Sequence, residues 1–96
     1  MRIDVIGKHL EVTPAIKQYA ETKAGKLPRY FDGTQAVRVL VEKGTNGSFL
    51  VEIAVDVEHH KDFIAHAKAE DLYACIDTAV DKASRQLRDF KEKLRN

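Results

Sequence analysis

Two neighbouring segments alternate in polarity with a period of two. In AVRVLVEK (36–43), Val37, Val39 and Val41 fall on one side and Arg38, Leu40 and Glu42 on the other. In SFLVEIAVDVE (48–58), Phe49, Val51, Ile53, Val55 and Val57 share one side, with Leu50, Glu52, Ala54, Asp56 and Glu58 opposite. Successive side chains of a strand point to opposite faces, so the pattern predicts two strands, each with one apolar face. GTNG (44–47) between them predicts a hairpin turn whose glycines and Asn supply positive φ. HHKD (59–62) predicts a second turn, leading into DFIAHAKA (62–69), where Phe63, Ala65 and Ala67 alternate with Ile64, His66 and Lys68. Such a sheet needs cover on one face only.

The flanking segments supply that cover. RIDVIG (2–7) predicts a short strand ended by Gly7. Thr13-Pro14 is a helix start, Thr as cap and Pro at the first helical position. The helix is expected to run from about 14 to 27, with Ile16, Ala20, Ala24 and Leu27 on one face and Pro28 stopping it. Asp71 is placed to cap a second helix. Its apolar seam is Leu72, Ile76, Val80, Ala83, Leu87, Phe90 and Leu94, spaced by threes and fours. The predicted order is β-α-β-β-β-α. This is an α+β fold with a four-stranded mixed sheet, its first two strands parallel across the helical connection, and two helices packed on one face.

Ninety-six residues suffice for one domain with a single core. Cys75 is the only cysteine, so neither an internal disulfide nor a thiolate metal cluster can form; it is expected half-buried at the edge of the seam. No run approaches the roughly 20 apolar residues of a membrane span, and no leader is evident. A soluble, cytoplasmic, monomeric protein is expected, without membrane partners.

Net charge is only +1, with 16 basic and 15 acidic side chains, so any electrostatic function must lie in their distribution. Between 82 and 95 stand Lys82, Arg85, Arg88, Lys91, Lys93 and Arg95, against Asp89 and Glu92. Cations in the last turn of a helix match its dipole, but this set is too long for one turn. Lys23 and Lys26 lie beside the stripe of the first helix, on the flank of Tyr19, and Arg29 follows. If that flank faces the second helix, the two basic sets converge over a groove. The open sheet face would receive Glu42, Glu52, Asp56 and Glu58 against Arg38 and Lys68, making an acidic surface.

Other constellations point to no chemistry. His59-His60 is adjacent in a turn, with His9 and His66 elsewhere, and no Cys or carboxylate set completes a metal site. GTNG lacks the Lys-Ser/Thr of a phosphate loop. Cys75 has no His and Asp arrangement to make it a nucleophile. Tyr73 is expected to pack on the sheet, with base stacking the alternative. Phe90 and Leu94 are expected in the core, with a homodimer seam the alternative. No catalytic residue, cofactor or metal ligand is assigned, and an enzyme is not expected.

DLYACIDTAVDKASRQLRDFKEKL resembles the signature of the ribosome hibernation promoting factor and ribosome-associated inhibitor family: Asp71, Tyr73, Ile76 and Asp77, then Asp81-Lys82, then Arg85-Gln86-Leu87, then Lys91 and Lys93. Gly7, Thr13-Pro14 and KAGKLPRYF (23–31) are similar to the family's upstream pattern. Gly25, Pro28 and Asp89 depart from what relatives more often carry. The resemblance implies a fold related to double-stranded-RNA-binding domains and binding to the small ribosomal subunit. There the protein would contact 16S rRNA in the channel used by mRNA and by tRNA in the A and P sites, idling the ribosome in stress or stationary phase. It implies RNA contacts by Lys23, Lys26, Arg29, Lys82, Arg85, Lys91 and Lys93; Arg88 joins them by its place on the same face. Long members append a second domain that pairs ribosomes. The expectation here is a single ribosome-binding domain over 1–96, with a helper protein for any ribosome pairing. A general structured-RNA module and a regulator docking on a protein through its helices remain open.

Overall fold

The computed structural model describes residues 1–95. The chain runs β1 (Arg2–Lys8), α1 (Pro14–Ala24), a 3-10 turn (Leu27–Tyr30), β2 (Thr34–Lys43), β3 (Phe49–Val57), β4 (Phe63–Ala69) and α2 (Leu72–Arg95). The sheet order is β1-β2-β3-β4. β1 pairs parallel with β2, and the other pairs are antiparallel. The mixed sheet and the order of elements are those the alternation and the helical stripes predict.

Both helices start on side-chain caps. Thr13 Oγ1 accepts from the Ile16 amide at 3.2 Å, and Asp71 Oδ2 from the Ala74 amide at 3.2 Å. Each satisfies a donor that the first helical turn leaves free. α1 packs over β1 and β2 and α2 over β3 and β4, and the two helices touch along one flank. The core between them holds Val37, Val39, Val41, Val51, Ile53, Val55 and Val57 from the sheet. Ile16, Ala20, Ala24, Leu27, Leu72, Ile76, Val80, Ala83 and Leu87 come from the helical side. Small residues at Ala20, Ala24, Ala79 and Ala83 are all fully buried, which lets the helices lie close to the sheet. Removing each larger aliphatic side chain from water stabilises the fold by about 1.5–3 kcal/mol.

Several boundaries differ from the expected ones for definable reasons. α1 stops at Ala24 rather than near 27. The Gly25 amide still bonds Glu21 O at 2.9 Å, but the Lys26 amide bonds Lys23 O at 3.3 Å, so the spiral tightens. Pro28 does not stop a helix; it sits early in the 3-10 turn, where a missing N–H costs nothing. Leu27 reaches the core all the same. β1 continues through Gly7 to Lys8, and a Cβ on Gly7 would run into the Leu10 carbonyl. Gly7 therefore admits the returning chain rather than ending the strand. In the β2–β3 turn only Gly47 has positive φ, at 83°; Asn46 instead accepts from the Ser48 hydroxyl at 2.7 Å.

The seam of α2 ends sooner than its spacing implies. Leu87 is fully buried, Phe90 is half-buried, and Leu94 is 62% exposed. A 24-residue helix is about 36 Å long at 1.5 Å per residue, whereas the seven-residue β4 spans about 23 Å. The helix outruns the sheet, in keeping with a molecule of 44 × 22 × 19 Å. Cys75 is fully buried rather than half-buried. Its Sγ lies 3.3 Å from Ala67 O and 3.5 Å from Phe49 O, and desolvation pushes the thiol pKa up.

Candidate nucleic-acid interface

The contact between α1 and α2 is built around Asp77. Tyr19 donates its hydroxyl to Asp77 Oδ1 at 2.7 Å, and Lys23 Nζ lies 3.6 Å from the same oxygen. Lys23 also stands over the Tyr19 ring, 5.4 Å from its centroid. Tyr73 meets Tyr19 edge-on at 4.9 Å, so it packs on α1 and not on the sheet as expected. The hydrogen bond to Asp77 holds the Tyr19 phenol above its ordinary pKa.

Below this clamp opens a groove of about 300 Å³. Lys23, Lys26 and Tyr30 line one wall, and Asp77, Val80, Asp81 and Ser84 the other. It is therefore not the purely cationic cleft expected from two converging basic sets. Lysines face aspartates at its upper end, and the cations of α2 begin further along. Arg88 lies over the Tyr30 ring at 5.4 Å, which ties the basic half of α2 to the 3-10 turn carrying the exposed Arg29. Lys91, one turn beyond Leu87, is half-buried beside the seam, on the same flank.

Not all the predicted cations share that flank. Lys82 Nζ donates to His66 O at 3.0 Å and Gln86 Nε2 to Ile64 O at 3.0 Å. Both acceptors belong to β4, the edge strand, so these side chains cover carbonyls that lack a neighbouring strand. Lys93, eleven residues after Lys82 and so about three turns along, lies on this β4 flank too. Arg85 projects outward between the flanks. The basic residues form a band across the outer surface of the helical layer, with Lys23, Lys26, Arg88 and Lys91 at one margin and Lys82 and Lys93 at the other.

The open sheet face is not acidic. Its strand positions carry Arg2, Lys8, Arg38 and Lys68 as well as Asp4, Glu42, Glu52 and Asp56. The register sets Asp4 beside Arg38 and Lys8 beside Glu42, while Arg2 Nε is 3.1 Å from Asp4 and His66 Nε2 is 2.9 Å from Glu52. The expected acidic surface left out β1 and counted Glu58, which lies past the end of β3; with the two bases and one acid of β1 the strand positions balance. Between them lie the exposed Ile6, Leu50 and Ile64.

At the far end of the molecule four rings from different elements meet. Phe90 contacts Phe31 at 5.2 Å, Phe63 at 5.1 Å and His60 at 4.7 Å. His60 lies flat on Phe63 at 4.6 Å, with the planes 5° apart. Alternation marks Phe63 as inward and the seam marks Phe90, but no spacing rule connects either to His60, which is fixed by the turn. Among the described residues no group of three or more His, Cys, Asp or Glu side chains could hold a metal ion, and no helix is long and apolar enough to cross a membrane.

Comparison with known proteins gives a consistent result. The family model described as "Sigma 54 modulation protein / S30EA ribosomal protein" matches residues 3–95. The chain is 36% identical over 97 residues to the ribosome hibernation promoting factor of Escherichia coli K12, covering 99% of this chain and 98% of that protein. To the protein of the same name in Azotobacter vinelandii it is 38% identical over 95 residues, covering 97% of this chain and 85% of that one. The N-terminal domain of Thermus thermophilus Protein Y superposes with a TM-score of 0.83 at 35% identity, covering 94% of this chain and 99% of that one. A ribosomal subunit interface protein from Coxiella burnetii, 21% identical, shares the fold with a TM-score of 0.86, covering 96% and 99% of the two chains.

Proposed function

Since the chain belongs to the Sigma 54 modulation protein / S30EA ribosomal protein family, we propose that it is a ribosome hibernation factor. It binds the small ribosomal subunit through 16S rRNA in the mRNA and tRNA channel, occupying the A and P sites and halting translation under stress. The observation that carries this reading is the band of cations on the outer helical surface of a chain with family-wide likeness. Lys23, Lys26, Arg29, Lys82, Arg85, Arg88, Lys91 and Lys93 are its RNA contacts.

Binding alone performs this job, and no covalent bond is made or broken. Each cation that neutralises a phosphate releases condensed counterions, so affinity falls with salt by a log–log slope of about −0.7 to −0.9 per contact. Arg85 and Arg88 can grip two phosphate oxygens through the planar guanidinium; the lysines act as point charges. Phosphate contacts carry no sequence information. Selectivity comes from shape, a rigid body with a projecting helix fitted to one cleft of folded RNA. The Asp77 clamp fixes the angle between α1 and α2 and hence the spacing of the cations.

Sedimentation with purified ribosomal subunits across a salt series, with tRNA as competitor, tests the reading. Expected are co-migration with the small subunit, displacement by tRNA, and loss of binding in Arg85→Glu/Lys91→Glu. Binding to neither subunit overturns the proposal. Equal affinity for any structured RNA, free tRNA included, replaces it with a general RNA-binding module.

A further inference from the structure

The ring cluster at the end of α2 is more than a core extension. Phe31, Phe63 and Phe90 are half-buried, but His60 remains exposed at the tip of the β3–β4 turn. An exposed side chain in a turn ordinarily samples several rotamers, and this one is fixed at three points. One face rests on Phe63, Phe90 meets it at a tilt of 59°, and Nδ1 lies 2.6 Å from Lys61 O. A carbonyl oxygen can only accept, so Nδ1 carries a proton in this geometry and the outward Nε2 is left for another partner. His59, at φ 61°, turns the chain at this point, and its ring goes to Glu58, with Nε2 3.8 Å from that carboxylate.

The surroundings suit an RNA strand. Lys61 follows in the turn, and Lys93 stands one turn beyond Phe90 on the flank of α2 that faces β4. Of the carboxylates nearby, Glu58 lies 3.8 Å from the His59 ring, Asp62 follows Lys61 in the turn, and Asp89 precedes Phe90 on α2. The result is a flat aromatic face, held in place before any ligand arrives, with Lys61 next to it in the chain and Lys93 on the neighbouring stretch of α2. Unpaired bases stack on faces of this kind, and neighbouring phosphates take the cations.

We propose that His60 is a base-stacking contact: an unpaired rRNA base lies on the exposed face of its imidazole while Lys61 and Lys93 take adjacent phosphates. The inference rests on the ribosome-binding reading and deepens it. It extends the interface from the helical band around the end of α2 to the β3–β4 turn. It also groups Lys93, which lies away from the α1 groove, with the β3–β4 turn.

Binding to purified small subunits is measured for wild type, His60→Ala, His60→Tyr and Lys93→Ala at several salt concentrations, with thermal melts of each protein. Loss of one stacked base weakens binding by roughly five- to a hundred-fold. His60→Ala is expected to fall in that range with an unchanged salt slope, because no phosphate contact is lost. His60→Tyr should retain most of the affinity, and Lys93→Ala should flatten the slope by about 0.7–0.9. If wild type binds and His60→Ala binds equally well, the stacking role is wrong while the ribosome reading stands. An affinity loss in His60→Ala matched by an equal loss in His60→Tyr also overturns it, since a large aromatic face would then be irrelevant. Failure of wild type to bind refutes the underlying function instead.

Discussion

Leu87 and Leu94 occupy equivalent places on the apolar stripe of α2, seven residues apart, yet only Leu87 is enclosed. Truncating each to Ala should therefore give very different results. Leu→Ala removes three carbons, worth about 2.4 kcal/mol at 0.8 kcal/mol per buried methylene. Leu87 is fully buried between the sheet and α2, so a cavity cost adds to this, bringing Leu87→Ala to about 3–4 kcal/mol. A 96-residue domain has a total stability of roughly 5–14 kcal/mol. The variant should therefore lose 10 °C or more in Tm, at about 4–8 °C per kcal/mol. Leu94 is 62% exposed, and Leu94→Ala should stay within about 0.5 kcal/mol of wild type. Urea and thermal unfolding followed by circular dichroism measure both, with sedimentation equilibrium to record the association state. Equal destabilisation by the two substitutions would refute the overhang, as would a concentration-dependent Tm that Leu94→Ala abolishes; the latter would make Leu94 a homodimer seam.

Asp77→Asn leaves an amide oxygen to accept from Tyr19, so the helix angle is kept, while Lys23 loses the carboxylate 3.6 Å away; Tm should fall by a few degrees and RNA binding strengthen with a steeper salt slope, and weaker binding with an unchanged Tm would contradict this. The thiol of Cys75 is held above its ordinary pKa by burial, so the native protein keeps that proton at pH values where the unfolded chain has lost it. The stabilisation is complete below the ordinary thiol range near pH 8.5 and declines above it; pH-dependent melts of wild type and Cys75→Ser should diverge there, and native Cys75 should resist thiol reagents until unfolding. Lys82→Ala with Gln86→Ala strips the two side-chain donors from the β4 edge. It should cost about 1 kcal/mol for two exposed hydrogen bonds and raise concentration-dependent association, read by light scattering.

The elements were legible where one physical rule governed them. Alternation decides the three antiparallel strands because one face is buried and the other wet, and the threes and fours of α2 decide its core face. What the pattern could not show depends on lengths and registers between distant segments. Leu94 fits the stripe, but whether a sheet lies beneath it depends on where β4 ends. The balance of the open sheet face required the pairing of β1 with β2, which brings Asp4 to Arg38 and Lys8 to Glu42. The cations were all visible as residues, but their division between two flanks was not. About 100° per residue places Lys82 and Arg88 on different sides of one helix; only the packing of α1 on one flank and β4 on the other gives those sides different neighbours. In the sequence Asp77 stands only as one residue of the family-like signature in α2. It is instead the hinge pin between the helices, because Tyr19, 58 residues earlier, reaches it.

The overhang of α2 bears on how its charge is interpreted. A helix C-terminus carries a partial negative charge of about half a unit and repels phosphate. Lys93 and Arg95, in the last turn, counter that charge whatever the protein does, and alone they would indicate only a solvated, dipole-matched end. The effect fades within one turn, so Arg85, Arg88 and Lys91 lie mostly beyond its reach. Arg88 is steadied over Tyr30, so that cation is held in position, and Lys91 is half-buried beside the seam. An ion cloud needs no such positioning, whereas a fixed array of phosphates does. A helix that served only the core could end near Leu87. The extra two turns, packed on the ring cluster at Phe90 and carrying cations past the sheet, form a prong narrower than the body behind it, the shape that the proposed binding to a cleft of folded RNA requires.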